Sequence, residues 1–126
     1  MDELQSKIVH FLQAFSPILF LPSFHNPWIV VHVPKMKITA IHAPGHTRGS
    51  TMFTINDEIL ISGDVLFAGS IGRTDLPSGS HEAMVKTLKT RVLPLSDELR
   101  VLPGHGPETT IKFERKNNPY LKELRV

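Results

Sequence analysis

Three times in this chain an apolar run leads into a glycine followed at once by a side chain able to ligate a metal: Gly45-His46, Gly63-Asp64 and Gly104-His105. The runs before them, 37–42, 59–62 and 99–102, are rich in branched aliphatic residues and read as strands. Side chains at the ends of neighbouring strands converge at one rim of a sheet, and a glycine there lets the backbone turn sharply to aim the next residue. For any one of these histidines a hydrogen bond to backbone is the ordinary role. It is the repetition that points to a metal or catalytic centre, and two imidazoles with a carboxylate suit Zn or Fe.

The rest of the chain supplies elements around those strands. Apolar residues Leu4, Ile8, Phe11, Leu12 and Phe15 recur at three- and four-residue steps, which predicts a short amphipathic helix over 2–15. Pro17, Pro22 and Pro27 make 16–27 an irregular connection. Trp28 to Val33 reads as a strand, and 50–55 with 59–62 as a hairpin turning at Asn56 and Asp57. After a loop over 64–80, Met84, Leu88 and Val92 share one face of a helix over 81–92, with Ser80 as N-cap. A helix is also expected over 109–116, interrupted by Asn117, Asn118 and Pro119.

Composition narrows the function classes. With 14 basic against 12 acidic residues among 126, the chain has no charge excess to hold a nucleic acid. It has no cysteine, so disulfide frameworks and thiolate metal sites are excluded and any metal falls to its seven histidines and its carboxylates. The acidic Met1-Asp2-Glu3 start and the proline-broken 15–21 run do not resemble a signal peptide, and no run approaches the roughly 20 apolar residues of a membrane-spanning helix. A cytoplasmic protein without membrane or nucleic-acid partners is expected.

From about Ile38 to Leu121 the chain resembles the glyoxalase II-like hydrolases of the metallo-β-lactamase superfamily. The matching segments are 43–50 (APGHTRGS), 62–67 (SGDVLF), 69–75 (GSIGRTD), 102–107 (LPGHGP) and 118–120 (NPY). The resemblance implies an α/β fold: half of an αββα sandwich, a mainly antiparallel sheet with helices on one face. It divides the chain into 1–27, a helix and linker that do not match the family, and 28–126, the C-terminal half of the domain. It implies that His46 binds a first metal, that Asp64 bridges two metals and takes the catalytic role, and that His105 binds the second. The metal would be Zn, with Fe or Mn as alternatives, and the reaction hydrolysis of a thioester such as lactoylglutathione by metal-activated water.

The sequence departs from that family in one respect. The family carries an upstream H-x-H-x-D-H motif that supplies further ligands, and no such spacing occurs here. An incomplete site is therefore expected, to be completed in a homo-oligomer or by a complementing N-terminal half. The open inner face of a lone sheet would add a drive to self-associate, unless the helix over 2–15 covers part of it. Two other functions fit the same residues: a non-catalytic metal-binding or interaction remnant of the fold, or an iron protein similar to persulfide dioxygenases, which share the Pro-Gly-His and Gly-Arg-Thr-Asp segments. Arg73 and Asp75 read as an ion pair fixing a structural loop. His42 reads as packed or hydrogen-bonded, and Trp28 as core or interface. Lys112, Arg115, Lys116, Lys122 and Arg125 read as a solvated face.

Overall fold

A computed structural model describes residues 28–33 and 36–124. The helix expected over 2–15 and its linker lie outside the described residues. Four strands follow one another as antiparallel neighbours: β1 (Trp28–Val33), β2 (Met36–His42), β3 (Thr51–Ile55) and β4 (Ile59–Gly63). The turn between β3 and β4 uses Asn56 and Asp57 at φ 53° and 55°, the left-handed conformations a tight hairpin requires. Leu66–Phe67 (β5) and Ser70–Ile71 (β6) form a separate small hairpin. The helix α1 (His81–Thr87) then runs on into one wider, π-type turn, Leu88–Val92, in which Leu93 N–H bonds Leu88 C=O at 2.9 Å. Ser80 caps α1 by accepting from Ala83 N–H at 3.1 Å.

Strand β7 (Arg100–Pro103) returns beside β4 in parallel, and β8 (Thr109–Thr110) pairs antiparallel with β7. The order β1-β2-β3-β4-β7-β8 is thus a six-stranded, mainly antiparallel sheet with one parallel junction. Two short helices close the described chain, α2 (Ile111–Asn117) and α3 (Pro119–Leu124). The sequence places one helix over 109–116 and a break after it. In the structure Thr109 and Thr110 belong to the sheet, with Thr110 capping α2, and Pro119 opens a second helix where its missing N–H costs nothing.

Strand register decides which side chains meet. Ile41, Met52, Leu60 and Val101 fall on one face and pack against Met84, Leu88, Val92, Ile111 and Leu121 from the helices. The opposite face carries Met36, Ala40, Phe53, Ile55, Ile59 and Ile61 as a second buried cluster. This face is covered rather than open to water: Phe53 is 2% and Ile55 1% exposed within the single chain. Phe53→Ala should cost about 3–5 kcal/mol, as for a fully buried aromatic, in urea unfolding of the purified chain. A cost below about 1 kcal/mol would mean that this face is open in solution.

Candidate metal centre

The three glycine-ligand steps converge for a topological reason. Strand β2 is antiparallel to β3, β3 to β4, and β4 runs parallel to β7. Strands β2, β4 and β7 therefore all point the same way, and their C-terminal ends share one rim. Gly63, at φ 54°, turns the chain out of β4 so that Asp64 faces across the rim. Gly104 N–H bonds Gly63 C=O at 2.8 Å, which pins the exits of β4 and β7 together. A Cβ on Gly104 would stand 3.0 Å from the Gly63 carbonyl oxygen and 3.2 Å from Asp64 Oδ1, so a side chain here would press on the carboxylate.

At the rim, His46 Nε2 lies 3.5 Å from Asp64 Oδ2, and His105 Nε2 lies 3.2 Å from Asp64 Oδ1. Each imidazole thus addresses a different oxygen of one carboxylate. His46 donates from Nδ1 to the Arg73 carbonyl at 2.8 Å, and the proton held there leaves Nε2 with a lone pair when the ring is neutral. A lone pair facing a carboxylate oxygen repels it unless a cation lies between them. Two ligands of one tetrahedral ion, at about 2.0–2.2 Å each, stand about 3.3–3.6 Å apart. The 3.5 Å spacing falls in that range and the 3.2 Å spacing just below it, while both exceed the length of about 2.7–2.9 Å usual for a charge-assisted hydrogen bond. The donor set fits a metal on either side of Asp64. Among the described residues no three His, Asp or Glu side chains form a single-ion cage, as expected when each position has one imidazole and a shared carboxylate.

The walls come from the β5–β6 hairpin and the segment after it. A cavity of about 320 Å³ is lined by the three ligand candidates with Phe67, Ser70, Ile71 and Arg73. The Phe67 ring stands edge-on to His105, with centroids 5.8 Å apart at 83°. Gly72 lies flat against the site: a Cβ there would come within 1.7 Å of the Asp64 carbonyl oxygen. Arg73 and Asp75 form a bidentate pair at 2.7 and 2.9 Å. The hydrogen bond from Arg73 chiefly holds the Asp75 carboxyl below the usual carboxylate range, although both groups are fully exposed.

Behind the hairpin lies a network that the sequence reading did not anticipate. Glu114, wholly buried in α2, accepts from Gly69 N–H at 2.7 Å, Asn118 Nδ2 at 3.0 Å and Thr109 Oγ1 at 2.6 Å. Asn118 also donates to the carbonyls of Phe67 and Ser70, at 3.4 and 3.0 Å. Two side chains from the C-terminal helices thus clamp the loop that walls the site.

Other histidines and cations take up separate positions. His42, the last residue of β2, bonds Arg48 C=O through Nε2 at 2.8 Å, across the loop that carries His46. His32 is exposed on the edge strand, and His10, His25 and Arg125 lie outside the described residues. Lys112, Lys116 and Lys122 are exposed as a solvated face would be. Arg115 departs from that reading: it donates to Leu93 C=O and Leu95 C=O, both at 2.7 Å, and pairs with Asp97. Trp28 is 38% exposed on the edge strand.

A mixed sheet with helices packed on one face defines an α/β class of protein, here with histidine and carboxylate donors gathered at one rim. The model of the metallo-beta-lactamase superfamily matches residues 7–105, and the chain belongs to that superfamily. The match reaches upstream of Trp28 into the segment that the sequence reading sets apart. The chain is 38% identical over 105 residues to hydroxyacylglutathione hydrolase GloC of Haemophilus influenzae, a match covering 81% of this chain and 50% of that relative. Among solved structures it is similar to the BLEG-1 B3 metallo-beta-lactamase, at 40% identity and TM-score 0.69 over 73% of this chain and 44% of that one. It is also similar to TTHA1623 in a di-iron-bound form, at 44% identity and TM-score 0.63 over 67% and 42% of the two chains. The chain thus spans about half the length of the relatives it matches. No helix among the described residues is long and apolar enough to cross a membrane.

Asn118→Ala should lower stability by about 1–3 kcal/mol, because it takes the side-chain donor from the part-buried carbonyls of Phe67 and Ser70 and one of three donors from buried Glu114. Urea unfolding reads this cost, and a midpoint unchanged from the parent chain would show that the clamp holds nothing.

Proposed function

We propose that this chain is the C-terminal, metal-binding part of a glyoxalase II-type hydrolase that cleaves thioesters, glutathione thioesters among them. The observation that carries the proposal is the shared carboxylate: Asp64 offers one oxygen toward His46 and the other toward His105. The name of the Haemophilus relative and the di-iron form of TTHA1623 support both the substrate class and a paired-metal site.

Zn, Fe or Mn at these positions would polarise the acyl carbonyl and bring the pKa of a bound water toward about 7. The chain's own residues prepare that chemistry. The Arg73 carbonyl holds the His46 proton on Nδ1 and so keeps Nε2 available as a ligand. Asp64, as the catalytic carboxylate, would offer one oxygen to each position. Phe67 and Ile71 provide an apolar wall against which a small acyl group packs. At about 320 Å³ the cavity is at the lower limit for a ligand pocket, so it suits the acyl part of a thioester, with the thiol carrier extending beyond it.

One imidazole and half a shared carboxylate are fewer than the three protein ligands a catalytic ion takes. The proposal therefore includes ligands from outside the described residues, supplied by a second copy of the chain or by a complementing polypeptide. Its expected place of action is the cytoplasm.

Titration of the purified chain with Zn²⁺, Fe²⁺ or Mn²⁺ tests the site, and Asp64→Asn should weaken binding by about 100-fold or more because both positions lose charge at once. Addition of a polypeptide carrying the family's H-x-H-x-D-H half should then yield S-lactoylglutathione cleavage that Asp64→Asn abolishes. Failure to take up any of the three metals, with or without that polypeptide, would sink the proposal.

A further inference from the structure

A second cavity, of about 310 Å³, lies on the other side of the loop that carries His46. Its walls include Arg48, Lys86 and Arg91, with the hydroxyl residues Ser78 and Ser80. Gly45 and Arg48 line this cavity while His46 lines the first, so the 43–50 loop is shared between them.

The charge here is one-sided. No Asp or Glu lines the cavity. None of the three cations forms an ion pair with a described residue, whereas Lys37, Arg73, Arg100 and Arg115 each have a carboxylate partner. Like charges gathered without counter-charges repel one another, and the cost grows as water is withdrawn from them. Arg91 is half-buried, and burial pushes its guanidinium below the usual arginine value. An anion seated between these groups would relieve both costs, and two guanidinium forks with an ammonium match the oxygens of a compact, multiply charged oxyanion.

The backbone around the cavity is fixed before any ligand arrives. Arg48 N–H bonds Ser78 Oγ at 3.3 Å, joining the 43–50 loop to the segment before α1. Ser80 N–H bonds Gly45 C=O at 2.8 Å, and Thr87 Oγ1 donates to Pro44 C=O at 2.6 Å from inside the core. The cations therefore project from three points of one rigid frame: Arg48 from the loop, Lys86 from α1 and Arg91 from the π-type turn.

We propose that this cavity, lined by Arg48, Lys86 and Arg91, is a binding site for a small polyvalent oxyanion, a phosphoryl or polycarboxylate group, separate from the metal centre. Its size excludes a duplex or an extended polyanion. The assignment does not depend on the reaction proposed above, because none of the three cations takes part in holding a metal.

Isothermal titration calorimetry on the full chain, freed of metal on a chelating resin, tests the site with pyrophosphate and tricarballylate as probes in about 0.15 M salt. Saturable binding of at least one probe is expected, weakened about tenfold or more by Arg48→Ala combined with Lys86→Ala. Both of these residues are exposed, so the double variant should keep its fold, as circular dichroism would verify. Pyrophosphate alone binding identifies a phosphoryl ligand, and tricarballylate alone a carboxylate one. Absence of binding by both probes, or affinity that survives the double substitution, overturns the proposal.

Discussion

The parallel pairing of β4 with β7 is the constraint on which the site depends. An all-antiparallel meander would send successive strands to alternate ends of the sheet and scatter their exits. The long connection through α1 lets β7 enter alongside β4 in the same direction, so that Asp64 and His105 leave the sheet at adjacent points. The Gly104 to Gly63 hydrogen bond then holds those exits at a fixed spacing. His46 joins them because β2, two strands away from β4, shares its direction.

A second layer of control comes from the far end of the chain. The buried carboxylate of Glu114 has no cation beside it among the described residues and is satisfied by three neutral donors instead. Such an arrangement is directional. Each donor must sit at its own angle, so the network specifies where the β5–β6 hairpin lies more sharply than apolar packing would. Asn118 does two jobs, bonding the hairpin through Nδ2 and accepting from Tyr120 N–H at 3.0 Å through Oδ1 at the start of α3. The Asn-Pro-Tyr segment therefore links a helix start to a wall of the candidate metal site.

Much of this was legible in the sequence because it follows from short-range rules. Alternation and β-branching mark β1 to β4, Ser80 marks the start of α1, and the repeated glycine-ligand step marks the rim. What escaped had no local signal. Strands of two residues, as in β5, β6 and β8, show no periodicity. Glu114 sits in a helix among Lys112, Arg115 and Lys116, and nothing in its neighbours' identities announces burial. Arg115 looks like one more surface cation until the chain brings the carbonyls of Leu93 and Leu95 to it. Pro119 reads as a stop, yet the residue that ends one helix also begins the next.

The group that orients His46 is a main-chain carbonyl, and this changes what drift in the sequence can do. Replacing the Arg73 side chain would alter the exposed pair with Asp75 but would leave in place the oxygen that fixes the imidazole tautomer. Gly72, one residue earlier, has no such latitude, since any side chain would collide with the Asp64 carbonyl. Tolerance and intolerance thus alternate along adjacent positions of one loop. The geometry at His46 and Asp64 is insulated from substitutions at the more conspicuous of the two residues and vulnerable at the one that carries no functional group.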